Sequence, residues 1–149
     1  MAAATDIDLG EGHGHTVLTI LDENYAARLC GIHEAPPVLF GNGTLRRDDP
    51  AVSVVGSRDA SARGLSIARS VATSLAKEGV TLLAGLALGI DTAAHLAALE
   101  AGGRTVAVIG TGINKTYPAA NRDLHRVIAK EGLLLSQFWP DAPPQKHPS

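Results

Sequence analysis

The sequence predicts an α/β domain built on a mostly parallel sheet packed against helices. Three observations predict it. From Ala51 onward, short apolar runs alternate with helical patterns, which is the arrangement of βαβ units with right-handed crossovers. Three successive strands end in a glycine turn: Gly56-Ser57-Arg58, Gly85 to Gly89, and Gly110-Thr111-Gly112. Aromatic residues make up only 3% of the chain, so Leu, Val, Ile and Ala must build the core, as in a parallel sheet. In an open α/β sheet the loops at the carboxyl ends of the strands line the ligand crevice. The three turns are therefore expected on one rim.

Taken in order, Met1 to His15 is small, acidic and rich in Gly and His, and reads as a flexible leader. His13 and His15 read as incidental there rather than as metal ligands. Thr16 to Leu21 fits a short strand, and Asn24 to Cys30 a helical turn. Pro36-Pro37 breaks the chain, and Val38 to Phe40 forms a strand closed by Gly41-Asn42-Gly43. Asp48-Asp49-Pro50 is a turn. Val52 to Val55 is a strand. Ser61 to Lys77 is a helix with Leu65, Ala68, Val71, Ala72 and Leu75 on one face. Val80 to Ala84 is a buried strand. The next helix runs from Asp91, as its cap, to about Ala101, where Gly102-Gly103 stop it. Thr105 to Ile109 is a strand, Ala119 to Lys130 a helix, and Leu133 to Ser136 a strand. Asp141 to Ser149 holds three prolines and reads as a loop.

A chain of 149 residues is one domain by length. Net charge is −2, but unevenly spread. Residues 1–27 carry five acids and no Lys or Arg, whereas the remainder carries 13 bases against 10 acids. That balance is too weak to announce a nucleic-acid binder. Any anion site must come from local geometry. Cys30 is the single cysteine, which excludes an intrachain disulfide and a Cys-rich zinc site. No apolar run approaches the ~18 residues of a spanning helix. No secretory signal pattern opens the chain, so a cytoplasmic location is expected.

The stretch from Leu82 to Leu99 reads as strand, glycine turn, helix. Two readings fit its glycines. They allow the backbone to approach a phosphate at the helix N-terminus, or they only allow close packing of helix on sheet. Arg58 sits directly after its strand, where a guanidinium can grip a phosphate or enter a surface salt bridge. Lys115 after the third turn is a second positive contact or a solvated loop lysine. Asp91 and His95 stand four apart on one helix. They form an acid/base pair, or Asp91 caps the helix while His95 is a packed, hydrogen-bonded core residue. There is no G-x-x-x-x-G-K-[ST], which argues against ordinary NTP hydrolysis. G-x-G-x-x-G is also missing, which argues against a dinucleotide site.

VVGSRDASARG (Val54–Gly64), AGLALGIDTAAHLAAL (Ala84–Leu99), GGRTVAVIGTGINKTYPAANRDL (Gly102–Leu124) and GLLLSQF (Gly132–Phe138) resemble the DprA/Smf family of DNA-processing proteins. The upstream NYAARLCGIHEAPPVLFGNG resembles that family's lead-in. The likeness covers roughly residues 16 to 149, with the motifs in the family's order. It implies a Rossmann-like three-layer α/β/α core that binds single-stranded DNA and helps load a RecA-type recombinase on incoming DNA in natural transformation. It implies no cofactor and no catalytic activity, and a homodimer in the full-length protein. By similarity, Gly56, Ser57, Arg58 and Ser61 match the first phosphate-binding loop. Gly85, Ala87, Gly89 and Ile90 match the second. Gly110, Gly112, Tyr117, Pro118 and Asn121 match the third. Ala84 and Gln137 stand where the family often has Ser and Glu. The family usually begins with a small helical domain and continues beyond Ser149, so a core incomplete at its C-terminal end is expected. Two other readings are a nucleotide-sensing module and an enzyme similar to the cytokinin-activating phosphoribohydrolases. The P-G-G-x-G-T-x-x-E pattern of those enzymes does not occur here.

Overall fold

The computed structural model describes residues 16–19, 38–46 and 48–144. The expected leader and the helical turn near residues 24–30 lie outside the described residues. Six strands form one sheet: β1 (Thr16–Thr19), β2 (Val38–Gly43), β3 (Ala51–Ser53), β4 (Thr81–Ala84), β5 (Thr105–Val108) and β6 (Leu133–Ser136). Among the described residues three α-helices join them: α1 (Ala62–Lys77), α2 (Ile90–Glu100) and α3 (Arg122–Glu131). The strand order is β1-β2-β6-β5-β4-β3. β3, β4, β5 and β6 run parallel, while β2 is antiparallel to both β6 and β1. The sheet is thus mostly parallel, as expected.

Register decides which side chains meet the helices. Leu82 pairs with Thr105, Ala84 with Ala107, Ala107 with Leu134, and Phe40 with Ser136, so these residues share one face. Two buried clusters form on that face. Ala72 of α1 and Ala94, Ala97 and Ala98 of α2 pack on Leu82 and Ala84. Leu124 and Ile128 of α3 pack with Phe40, Ala107 and Leu134. These three helices of the described residues therefore lie on the same side of the sheet. Alanines dominate the α1–α2 seam, so the two helices approach each other and the sheet closely. On the opposite face Val106, Leu133 and Leu135 pack with Leu45 and Leu83.

Several boundaries differ from the sequence expectation. The predicted turn Gly41–Gly43 stays in the ladder opposite Leu135–Leu133, because pairing with β6 satisfies its backbone groups. β3 ends at Ser53 because it is the sheet edge. Only the Val54 amide still donates, to the Leu83 carbonyl at 2.8 Å, and Val55 is 90% exposed. The helix expected from Ala119 starts as a 3-10 turn, Ala119–Asn121, and becomes α-helical at Arg122. α1 begins as expected, with the Ser61 hydroxyl accepting from the Gly64 amide at 3.1 Å. Of its predicted apolar face, Ala68 and Ala72 are buried and Val71 is exposed.

Candidate nucleic-acid interface

The carboxyl ends of β3, β4, β5 and β6 all open on one side of the molecule. There they line a cleft of about 420 Å³, walled by Arg58, Gly85, Ala87, Leu88, Gly110, Thr111, Tyr117, Gln137 and Phe138, with Asp91 at its wall. Each of the three predicted turns contributes. Arg58 is exposed and makes no ion pair with any described residue, so the alternative of a surface salt bridge does not arise. The amides of Ser57, Arg58, Gly110 and Thr111 likewise donate to no described residue. Donors and a cation are therefore available on the first and third turns.

The second turn is different. Asp91 was expected to cap α2, yet Gly89 occupies the cap position, with φ of 81°. That left-handed backbone brings Gly89 so close to Ser57 that a Cβ would lie 2.3 Å from its carbonyl oxygen. The Asp91 carboxylate instead reaches back to accept from the Gly85 amide at 3.0 Å and the Ala87 amide at 3.3 Å. Burial pushes its carboxyl above the usual range, opposed by those two amides and by the nearby Arg58 charge. The Ile90 amide donates to the Ser57 carbonyl at 3.2 Å. The Thr92 amide and hydroxyl both reach the Ala87 carbonyl, at 3.1 and 2.7 Å. The second turn's polar groups are largely spent on holding its own shape.

Other predicted residues hold the cleft from behind. Asn121 is buried, and its amide donates to the Leu86 carbonyl at 3.0 Å and the Thr92 hydroxyl at 2.9 Å. Those bonds hold Leu86, which has a positive φ of 64°. Ile90 fills the space a Cβ on Gly56 would need. Ser61 caps α1. Lys115 is exposed and is not among the lining residues; its amide donates to the Gly112 carbonyl at 2.9 Å. Tyr117, 54% exposed, stands at the wall beside Pro118. Asp91 and His95 do not pair. His95 is fully buried and bonds to Thr105. Gln137 and Phe138 were missed, although β6 lies beside β5 in parallel and its following residues must reach the same rim.

Gly112 ties the third turn to the returning chain. Its amide donates to the Ala142 carbonyl at 2.9 Å, and the Asn114 amide to the Pro140 carbonyl at 2.7 Å. A Cβ at Gly112 would lie 2.0 Å from the Trp139 carbonyl oxygen. Gly112→Ala is expected to displace residues 139–142 at a cost of about 1–3 kcal/mol. Urea unfolding and proteolysis of the 139–144 stretch check it. A change below about 0.5 kcal/mol with unchanged cleavage would contradict the packing.

Among the described residues no group of His, Cys, Asp and Glu could hold a metal ion, and no helix is long and apolar enough to cross a membrane. Compared with known families, residues 16–148 match the model of DNA recombination-mediator protein A. The chain belongs to that family. Over 129 residues it is 45% identical to DNA processing protein DprA of Streptococcus pneumoniae, covering 86% of this chain and 45% of that protein. It is 40% identical over 134 residues to protein Smf of Synechocystis, covering 87% of this chain and 34% of the relative. The X-ray structure of the Streptococcus pneumoniae DprA superposes with a TM-score of 0.81 at 44% identity, over 87% of this chain and 46% of that one. DNA processing protein A from Helicobacter pylori, which binds single-stranded DNA, superposes with a TM-score of 0.78 at 25% identity, over 89% and 59%. The fold is therefore the Rossmann-like one of the DprA proteins. The chain spans less than half the length of these curated relatives.

Proposed function

We propose that this chain is a single-stranded DNA-binding core of a DNA-processing protein, and that the cleft holds the strand. One observation carries the reading. An exposed, unpaired arginine lines one cleft together with Gly110 and Thr111, and the amides of all three residues are bonded to no described residue. Backbone amides and a guanidinium are donors suited to phosphate, the repeating anion of a nucleic-acid strand. The cleft wall adds Tyr117 and Phe138, whose rings can take a base face. The Helicobacter pylori relative binds single-stranded DNA, which supports the same ligand here. The role is binding without catalysis. It serves loading of a RecA-type recombinase on incoming strands in the cytoplasm, as the family resemblance implies.

The test is a titration of the chain into labelled poly-dT across a salt series. Arg58→Ala is expected to weaken binding by about tenfold or more, since one charge-assisted phosphate contact is lost. The slope of log affinity against log salt should flatten by about 0.7. Arg58→Lys should restore part of the affinity, because the charge returns without the bidentate fork. The melting temperature should stay constant. A lowered melting temperature with unchanged affinity per folded molecule would refute the assignment.

A further inference from the structure

We infer that Asp91 is a specificity-determining residue of the cleft: it bars phosphate from the second turn and confines a strand's phosphates to the first and third. This rests on the cleft being the DNA site, but its first test does not use DNA.

The argument starts from where the donors point. A glycine turn ahead of a helix is ordinarily an anion cradle, because its amides face outward. Here the amides of Gly85 and Ala87 face inward and end on one carboxylate oxygen of Asp91. The Ile90 amide at the start of α2 ends on the Ser57 carbonyl. These three donors are committed, so a phosphate at this wall would have to displace them. The wall also carries charge of the wrong sign. Asp91 is 9% exposed and lines both the main cleft and the adjoining shallow hollow near Val55 and Val108. It is screened by little solvent, and a phosphate placed against it meets like charge at short range.

On the first and third turns the signs reverse. Arg58 is exposed and unpaired, and the Ser57, Arg58, Gly110 and Thr111 amides are uncommitted. Arg58 lies near enough to act on the Asp91 carboxyl, yet no salt bridge joins them. The cleft is therefore divided by turn: the first and third can accept an anion, and the second rejects one. What faces Asp91 in a bound strand is an uncharged hydrogen-bond donor of a sugar or base.

The experiment maps backbone amides by two-dimensional NMR while inorganic phosphate is added to the whole chain. In the unmodified protein the largest shifts should fall on Ser57, Arg58, Gly110 and Thr111, with Gly85 and Ala87 nearly still. In Asp91→Ala, which removes both the charge and the acceptor, Gly85 and Ala87 should join the responding set, and phosphate affinity should rise about threefold or more as the like charge is removed. Strong shifts of Gly85 and Ala87 in the unmodified protein would overturn the inference, as would a map with no phosphate response. So would a folded Asp91→Ala protein with an unchanged map. If Asp91→Ala does not fold, the unmodified map still decides. A poly-dT titration of the same samples separates the two readings. Absent DNA binding with the expected phosphate map refutes the DNA site and leaves the divided cleft standing.

Discussion

Arg104→Ala is expected to lower stability by about 3–5 kcal/mol, a fall in melting temperature of roughly 10 °C or more for a domain this size. Arg104 precedes β5, and its Nε donates to Asp49 Oδ2 at 2.8 Å. Its Nη2 donates to the Thr44 carbonyl at 2.7 Å. The Thr81 hydroxyl donates to the other oxygen of Asp49. One guanidinium thus joins the chain after β2, the turn before β3 and the start of β5. The arginine and aspartate side chains are only 8% and 18% exposed. Removing the cation leaves a half-buried carboxylate with a single hydroxyl partner, and that uncompensated charge is the source of the cost. Asp49→Asn should cost less, because its amide still accepts from Arg104. Urea unfolding of both variants checks the order. An Arg104→Ala protein as stable as its parent would show the pair to be inert.

That ion pair was illegible in the sequence. Asp48-Asp49-Pro50 reads as a turn on residue type alone, and nothing local links Asp49 to a residue 55 positions later. The βαβ rhythm from Ala51 onward was legible, because each strand and helix carries its own apolar period and stop signal. Ser61 and Gly132 mark their helix ends as a cap and a stop should. The glycines after β2 misled for a physical reason. Gly-Asn-Gly is good turn chemistry, but an available partner strand claims the backbone first.

The cleft was half legible. Its position followed from strand direction, since turns after parallel strands share a rim. Its chemistry did not follow, because an amide's direction depends on what it meets behind the turn. Asp91 shows this most plainly. As the first acid after Gly89 it reads as a helix cap, while the structure turns its carboxylate onto Gly85 and Ala87. Asn121 reads as a phosphate ligand by similarity, yet both amide donors are bound to Leu86 and Thr92. In each case the fold claims the polar group first: Asp91 within its own turn, and Asn121 through bonds to residues 35 and 29 positions earlier.

Stability is expected to fall by about 3 kcal/mol as pH drops from 6.5 to about 4, and His95 is the cause. Its ring is fully buried between α2 and the sheet. The Thr105 hydroxyl donates to the Leu82 carbonyl at 3.1 Å, so its lone pair must accept from His95 Nδ1, 2.6 Å away. That fixes the proton on Nδ1 and leaves Nε2 as a bare lone pair, buried and without a partner among the described residues. Protonation would put a charge at Nε2 with nothing to receive its hydrogen bond, and burial accordingly lowers the pKa from 6.5 to about 4. The unfolded chain binds the proton first, so acid favours unfolding. The contribution is complete above pH 6.5, shrinks through the interval, and is gone below about 4. His125 is also lowered by burial and acts in the same sense, whereas the raised Asp91 carboxyl acts in the opposite one. Comparison with His95→Gln isolates the ring, because glutamine keeps a neutral donor for Thr105 and loses the titration. Urea midpoints at intervals between pH 7.5 and 4 should slope steeply for the parent and gently for His95→Gln. Parallel slopes would place the acid sensitivity elsewhere.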